Sequence, residues 1–119
     1  MGTSENNQEL DAVMARALDA MWQKFLPDIR ERVDTVTAAA QAAAAGDLDD
    51  EQRAAAQVAA HKLAGTLGTF GLTRGTVLAR ELEIRLGGDG VGREEAAELV
   101  SATTQLRALV DSRDARNRN

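Results

Sequence analysis

The sequence predicts an all-α fold, an antiparallel four-helix bundle with an additional N-terminal helix, and three observations predict it. Alanine supplies 23 of the 119 residues while aromatics make up only 3%. That balance suits closely packed helices and offers few of the β-branched and aromatic side chains a sheet wants on its faces. Apolar residues recur at the i, i+3, i+4, i+7 spacing of amphipathic helices, and no segment alternates strictly as a half-buried strand would. Short connections separate these stretches, which makes antiparallel neighbours of consecutive helices. A chain of 119 residues has room for one core.

Residues 1–8 are polar and read as a disordered N-terminal segment, residues 9–113 as the bundle, and residues 114–119 as a loose tail. The first stripe is Leu10, Val13, Met14, Ala17, Leu18, Met21 and Phe25. Pro27 disfavours helical geometry at Leu26 and suits the first turn of a following helix, where Asp28 and Glu31 complement the dipole. The stripe resumes as Ile29, Val33, Val36 and Ala40, and Gly46 closes it. The two stripes are nearly in phase, so one kinked helix fits as well as two. Asp47 to Asp50 offer N-caps for a helix over about 50–70, which Gly71 ends. Thr73 can cap the next, with Val77, Leu78, Leu82 and Leu86 on its stripe and Gly87, Gly88 and Gly90 after it. A last helix runs from about Arg93 with Ala96, Leu99, Thr103, Leu106 and Val110, and periodicity fades from Asp111.

Composition removes many functions. Charged residues are 28% of the chain and the net charge is −5, with only two lysines, Lys24 and Lys62. Nucleic-acid binding driven by clustered cations is therefore not expected. No cysteine is present, which excludes disulfides, thiolate nucleophiles and zinc sites built on sulfur. No apolar run approaches the ~20 residues that cross a bilayer, and no signal-peptide pattern opens the chain. A cytoplasmic protein with no membrane partner is expected. A single histidine also leaves little from which to build a metal site.

That histidine is where the sequence becomes specific. At about 100° per residue, Ala56, Leu63, Leu67 and Phe70 fall opposite His61 and form the core stripe. Ala54, Gln57, Val58, Ala64, Gly65 and Gly68 lie within about 60° of His61, a face with no long charged side chain. Each glycine inside a helix costs about 0.8–1.0 kcal/mol relative to alanine. Close helix packing would place such glycines on the core stripe, whereas these flank the histidine. A molecule that approaches His61 closely accounts for them.

The run His61-Lys62-Leu63-Ala64-Gly65, followed by Gly68, Phe70, Gly71, Leu72, Leu78 and Leu82-Glu83, resembles the histidine-containing phosphotransfer (HPt) domain of bacterial phosphorelays. Glycines stand four and ten residues after His61, and Leu-Glu at twenty-one and twenty-two. The resemblance covers His61 to Glu83 and implies a four-helix bundle with a capping N-terminal helix. It also implies that His61 is the phosphoacceptor, and that Glu83 on the neighbouring helix accepts a hydrogen bond from its ring. The partner would be the receiver domain of a response regulator or hybrid histidine kinase, which brings the aspartate and Mg²⁺. Such a protein is a carrier without turnover of its own, and it holds no cofactor or metal. There are two departures. Ala64 stands where the family usually has lysine, which leaves Lys62 as the candidate cation. Arg80 stands where the chemotaxis-kinase subtype has a second histidine.

The chemistry suits the residue: histidine ordinarily titrates near pH 6.5, so its neutral imidazole is a nucleophile near pH 7. The main rival is a helical adaptor or dimerisation module with an incidental histidine, which explains the helices but not Gly65, Gly68 and Gly71. A hydrolase would draw its hydroxyl from Thr66 or Thr69, which project away from the His61 face. A kinase is excluded by size and by the absence of an ATP-binding glycine motif.

Overall fold

Four helices, α1 (Thr3–Ala45), α2 (Asp50–Thr69), α3 (Thr73–Leu86) and α4 (Arg93–Arg118), and no strand occur among the described residues. The computed structural model describes residues 3–88 and 91–118, so Gly90 and the chain ends Met1, Gly2 and Asn119 lie outside the described residues. The helices pack as a square in which α1 and α3 each contact α2 and α4. The molecule measures 63 × 21 × 20 Å. A 43-residue helix rises about 64 Å, so α1 alone spans the long axis.

The N-terminal helix and the first helix of the bundle form one continuous α1, with Pro27 inside it. Proline removes one backbone donor, but Pro27 and Gln23, the residue four before it, are both exposed, so water can satisfy the freed carbonyl. On either side, Trp22 and Ile29 are fully buried and hold the two halves in one line. Below the proline the stripe Ile29, Val33, Val36 and Ala40 enters the core with Leu63, Leu67, Leu78, Leu82, Leu99 and Leu106. Above it, Leu10, Val13 and Met14 are more than half exposed.

The connections follow from local chemistry. Gly46 takes φ +77° and Gly71 φ +71°, the left-handed conformation that closes a helix with least strain on glycine. Each is followed by the crossed bonds of a Schellman cap, Asp47 N–H to the Ala42 carbonyl and Leu72 N–H to the Leu67 carbonyl. Asp49 caps α2 by accepting from the Gln52 N–H at 2.7 Å. Thr73 does not cap α3: the N-cap is Leu72, with no side-chain bond.

The structure differs from two further expectations, both at the ends of the chain. α1 takes in residues from Thr3 onward, where polarity predicts disorder. At the other end α4 continues to Arg118 rather than loosening at 114, and Asp114 is only 4% exposed. Polar contacts replace the missing apolar stripe there. Asp114 accepts from Trp22 Nε1 and Gln23 Nε2, and Arg113 bonds Asp19 and covers the Trp22 ring at 5.1 Å.

Candidate functional site

His61 projects from the middle of α2. Ala56, Ala60, Leu63 and Leu67 bury the core side of that helix, and the His61 side chain is 74% exposed. The neighbouring helix runs antiparallel, and its register is set by contacts along its length. Thr76 Oγ1 donates to the Ala64 carbonyl at 3.4 Å. Near the other end, the Gln57 side chain lies against Gly87, where a Cβ would come within 2.6 Å of Nε2. Between these contacts, burial of Leu82 and Leu86 brings Glu83 to the level of His61.

His61 Nδ1 and Glu83 Oε2 are 2.8 Å apart. A carboxylate only accepts, so Nδ1–H donates and the ring lone pair resides on Nε2. Glu83 is half-buried, which restricts its carboxylate, while the imidazole stays open to solvent. The pair therefore presents Nε2 as a nucleophile of defined tautomer.

The bare face is present with one exception. Ala54, Val58, Gly65 and Gly68 are exposed and Gln57 is partly so. A Cβ on Gly65 would meet nothing within 4 Å, and one on Gly68 would meet only Thr76 Oγ1 at 3.5 Å. Neither glycine is required by internal packing. Ala64 is the exception: it is 4% exposed, because the side of α2 about 60° from His61 is the side against which α3 packs. It belongs to the α2–α3 seam and not to the accessible face. Lys62 is exposed, about a quarter-turn round α2 from His61 on the side away from α3.

The far edge of this surface comes from α3, and the apolar spacing alone misses it. Val77, assigned above to the core stripe, is 49% exposed, and Ile84 is 76% exposed. Ile84, Arg80, Glu83, Gln57 and Gly87 line one shallow hollow beside the histidine. Projecting α3 from Glu83 would have found these residues, since Leu78 and Leu82 mark the opposite side.

A sequence model of the Hpt domain matches residues 20–115. The chain belongs to the Hpt domain family. Histidine phosphotransfer is the family's role, and Hpt domains are phosphocarriers. The Hpt chain is also 38% identical over 71 residues to Protein RcaC of Microchaete diplosiphon, a match that covers 60% of this chain. It spans only 11% of that relative's length. No solved structure gives a significant match. Among the described residues, no helix of this Hpt domain is long and apolar enough to cross a membrane.

Proposed function

We propose that this Hpt domain carries a phosphoryl group on Nε2 of His61 and exchanges it with the aspartate of a receiver domain in a cytoplasmic phosphorelay. The observation that supports the reading most is an exposed imidazole whose Nδ1 is held by Glu83 beside a face bare of large side chains.

The Nε2 lone pair attacks phosphorus of the aspartyl phosphate. The bond between phosphorus and the aspartyl oxygen breaks, and its electron pair returns to the carboxylate. The ring keeps its Nδ1 proton and becomes a phosphoimidazolium, whose positive charge faces the Glu83 carboxylate. Transfer of this kind depends on positioning and charge stabilisation, with metal ions neutralising the developing charge. The receiver supplies the Mg²⁺ in this reading. It docks over Ala54, Gln57, Val58, Gly65 and Gly68, with Ile84 as an apolar contact on α3.

The test is incubation with a phosphorylated receiver domain. The wild-type chain should acquire acid-labile, base-stable label. His61→Gln should take up none while keeping its helical spectrum and melting temperature, because an exposed side chain contributes little to the core. Label on a folded His61→Gln chain would refute the carrier role.

A further inference from the structure

We propose that Arg80 is the cation that neutralises the phosphoryl group on His61, a role for which Lys62 is misplaced. The inference rests on the carrier reading of His61.

Three arginines stand on α3, and two are engaged. Arg74 donates to Gln105, and Arg85 pairs with Glu81 and Glu98. Arg80 is exposed and has no hydrogen bond or ion pair among the described residues. It stands one turn before Glu83 and about 60° round the helix from it, toward the outer edge rather than the core. Its side chain lines the hollow shared by Gln57, Glu83 and Ile84. One turn is about 5.4 Å of rise, a distance an arginine stem covers.

Across the seam, the antiparallel register places Arg80 at the level of Ala60 to Ala64, within one turn of His61. Ala64 is buried and Gly65 has no side chain, so nothing on α2 obstructs a guanidinium that swings over them toward His61. Lys62 lies on the other side of the histidine from the seam that Gln57 and Ala64 form with α3. An arginine fork also matches phosphoryl oxygens bidentately, which an ammonium cannot do. The cation is thereby carried by the same helix as the carboxylate that orients the ring.

Phosphoramidate tests this without a partner protein. Nε2 attacks its phosphorus, the P–N bond breaks, and ammonia leaves from the already protonated nitrogen. Charging of His61 is followed by phosphorus NMR in the wild-type chain and in Arg80→Gln, Arg80→Lys and Lys62→Gln. Losing a charge-assisted bond should slow Arg80→Gln about tenfold. Arg80→Lys should recover much of the rate, and Lys62→Gln should match wild type. Added salt should slow the wild type and leave Arg80→Gln nearly unaffected, a difference that a merely structural role would not produce. Equal rates for wild type and Arg80→Gln, with His61 charged in both, would overturn the assignment and leave the carrier reading standing. Slow charging confined to Lys62→Gln would overturn it in favour of Lys62. A wild-type chain that is never charged at His61 would end both.

Discussion

Of the carboxylates that bridge helices in this bundle, Glu83 and Asp114 do so in opposite surroundings. Glu83 reaches across the α2–α3 seam to one ring nitrogen, and its partner is 74% exposed. Asp114 sits between α1 and α4 with its side chain 6% exposed, and it accepts from Trp22, Gln23 and Arg30. A carboxylate removed from water must recover its lost hydration from several donors, and those donors fix it in place. Arg30 is itself held by Asp111 at 2.7 Å; that hydrogen bond, reinforced by the charges of Asp111 and Asp114, raises the guanidinium pKa above its ordinary value. The same functional group serves as a rivet at one seam and as a hinge for a reactive ring at the other. Solvent access makes the difference.

Breaking the rivet should have the larger effect. Asp114→Ala leaves the Trp22 indole N–H without its acceptor in the core, and removes hydrogen bonds to a charged group that are typically worth about 1.5–3 kcal/mol. Urea unfolding should show a loss of about 2–3 kcal/mol, with part of the cost moderated because Arg30 reaches solvent. Phosphoramidate charging of His61 should be unchanged in the folded variant, since the cluster lies on the α1–α4 side. A variant as stable as the wild type would mean that the last turns of α4 are held by something other than Asp114.

Breaking the hinge should do the reverse. Glu83→Ala should slow charging of His61 by about tenfold, the equivalent of about 1.4 kcal/mol, because the ring loses its orienting acceptor but keeps its nucleophile. Stability should move by no more than about 0.5 kcal/mol, as expected for an exposed pair. Nitrogen chemical shifts of the imidazole should report a mixture of tautomers in place of one. Unaltered kinetics together with an unaltered tautomer would assign Glu83 to the solvated surface.

These two sites also mark how far the sequence can be read. The core side of α2 was legible because Leu63 and Leu67 recur at helical spacing, and the exposure of His61 followed from them. The pairing of His61 with Glu83 was not legible from periodicity. Cross-helix register depends on contacts such as Gln57 against Gly87, and only the family resemblance pointed to Glu83. Helical projection groups Ala64 with the open face although it packs in the seam, because an alanine at the edge of a stripe has no polarity to declare its side. The end of α4 escapes the periodicity for a related reason: Arg113, Asp114 and Asn117 pack through polar contacts, which leave no apolar period. The N-terminal half of α1 shows the converse. Leu10, Val13 and Met14 have the spacing of a core stripe and remain exposed, because amphipathic spacing reports a face and not what covers it.

The smallest expected effect separates the reactive face from the packed seam beneath it through their glycines. Gly65 stands on the reactive face, where a Cβ would meet nothing within 4 Å. Gly65→Ala should therefore express helix propensity alone and stabilise the chain by up to about 1 kcal/mol. Gly75 is buried between α3 and α2, and a Cβ there would lie 3.1 Å from Leu67 Cδ1. Leu67 is fully buried and has little room to retreat, so Gly75→Ala should gain less than Gly65→Ala or lose stability. Urea unfolding of the two variants gives the comparison directly. A methyl at position 65 also intrudes on the receiver's path, so transfer from a phosphorylated receiver should fall while charging by phosphoramidate holds. If Gly65→Ala is destabilising, the glycine serves the fold and the bare face has another origin. If it stabilises and transfer from the receiver is undiminished, the receiver approaches His61 from a direction other than along α2.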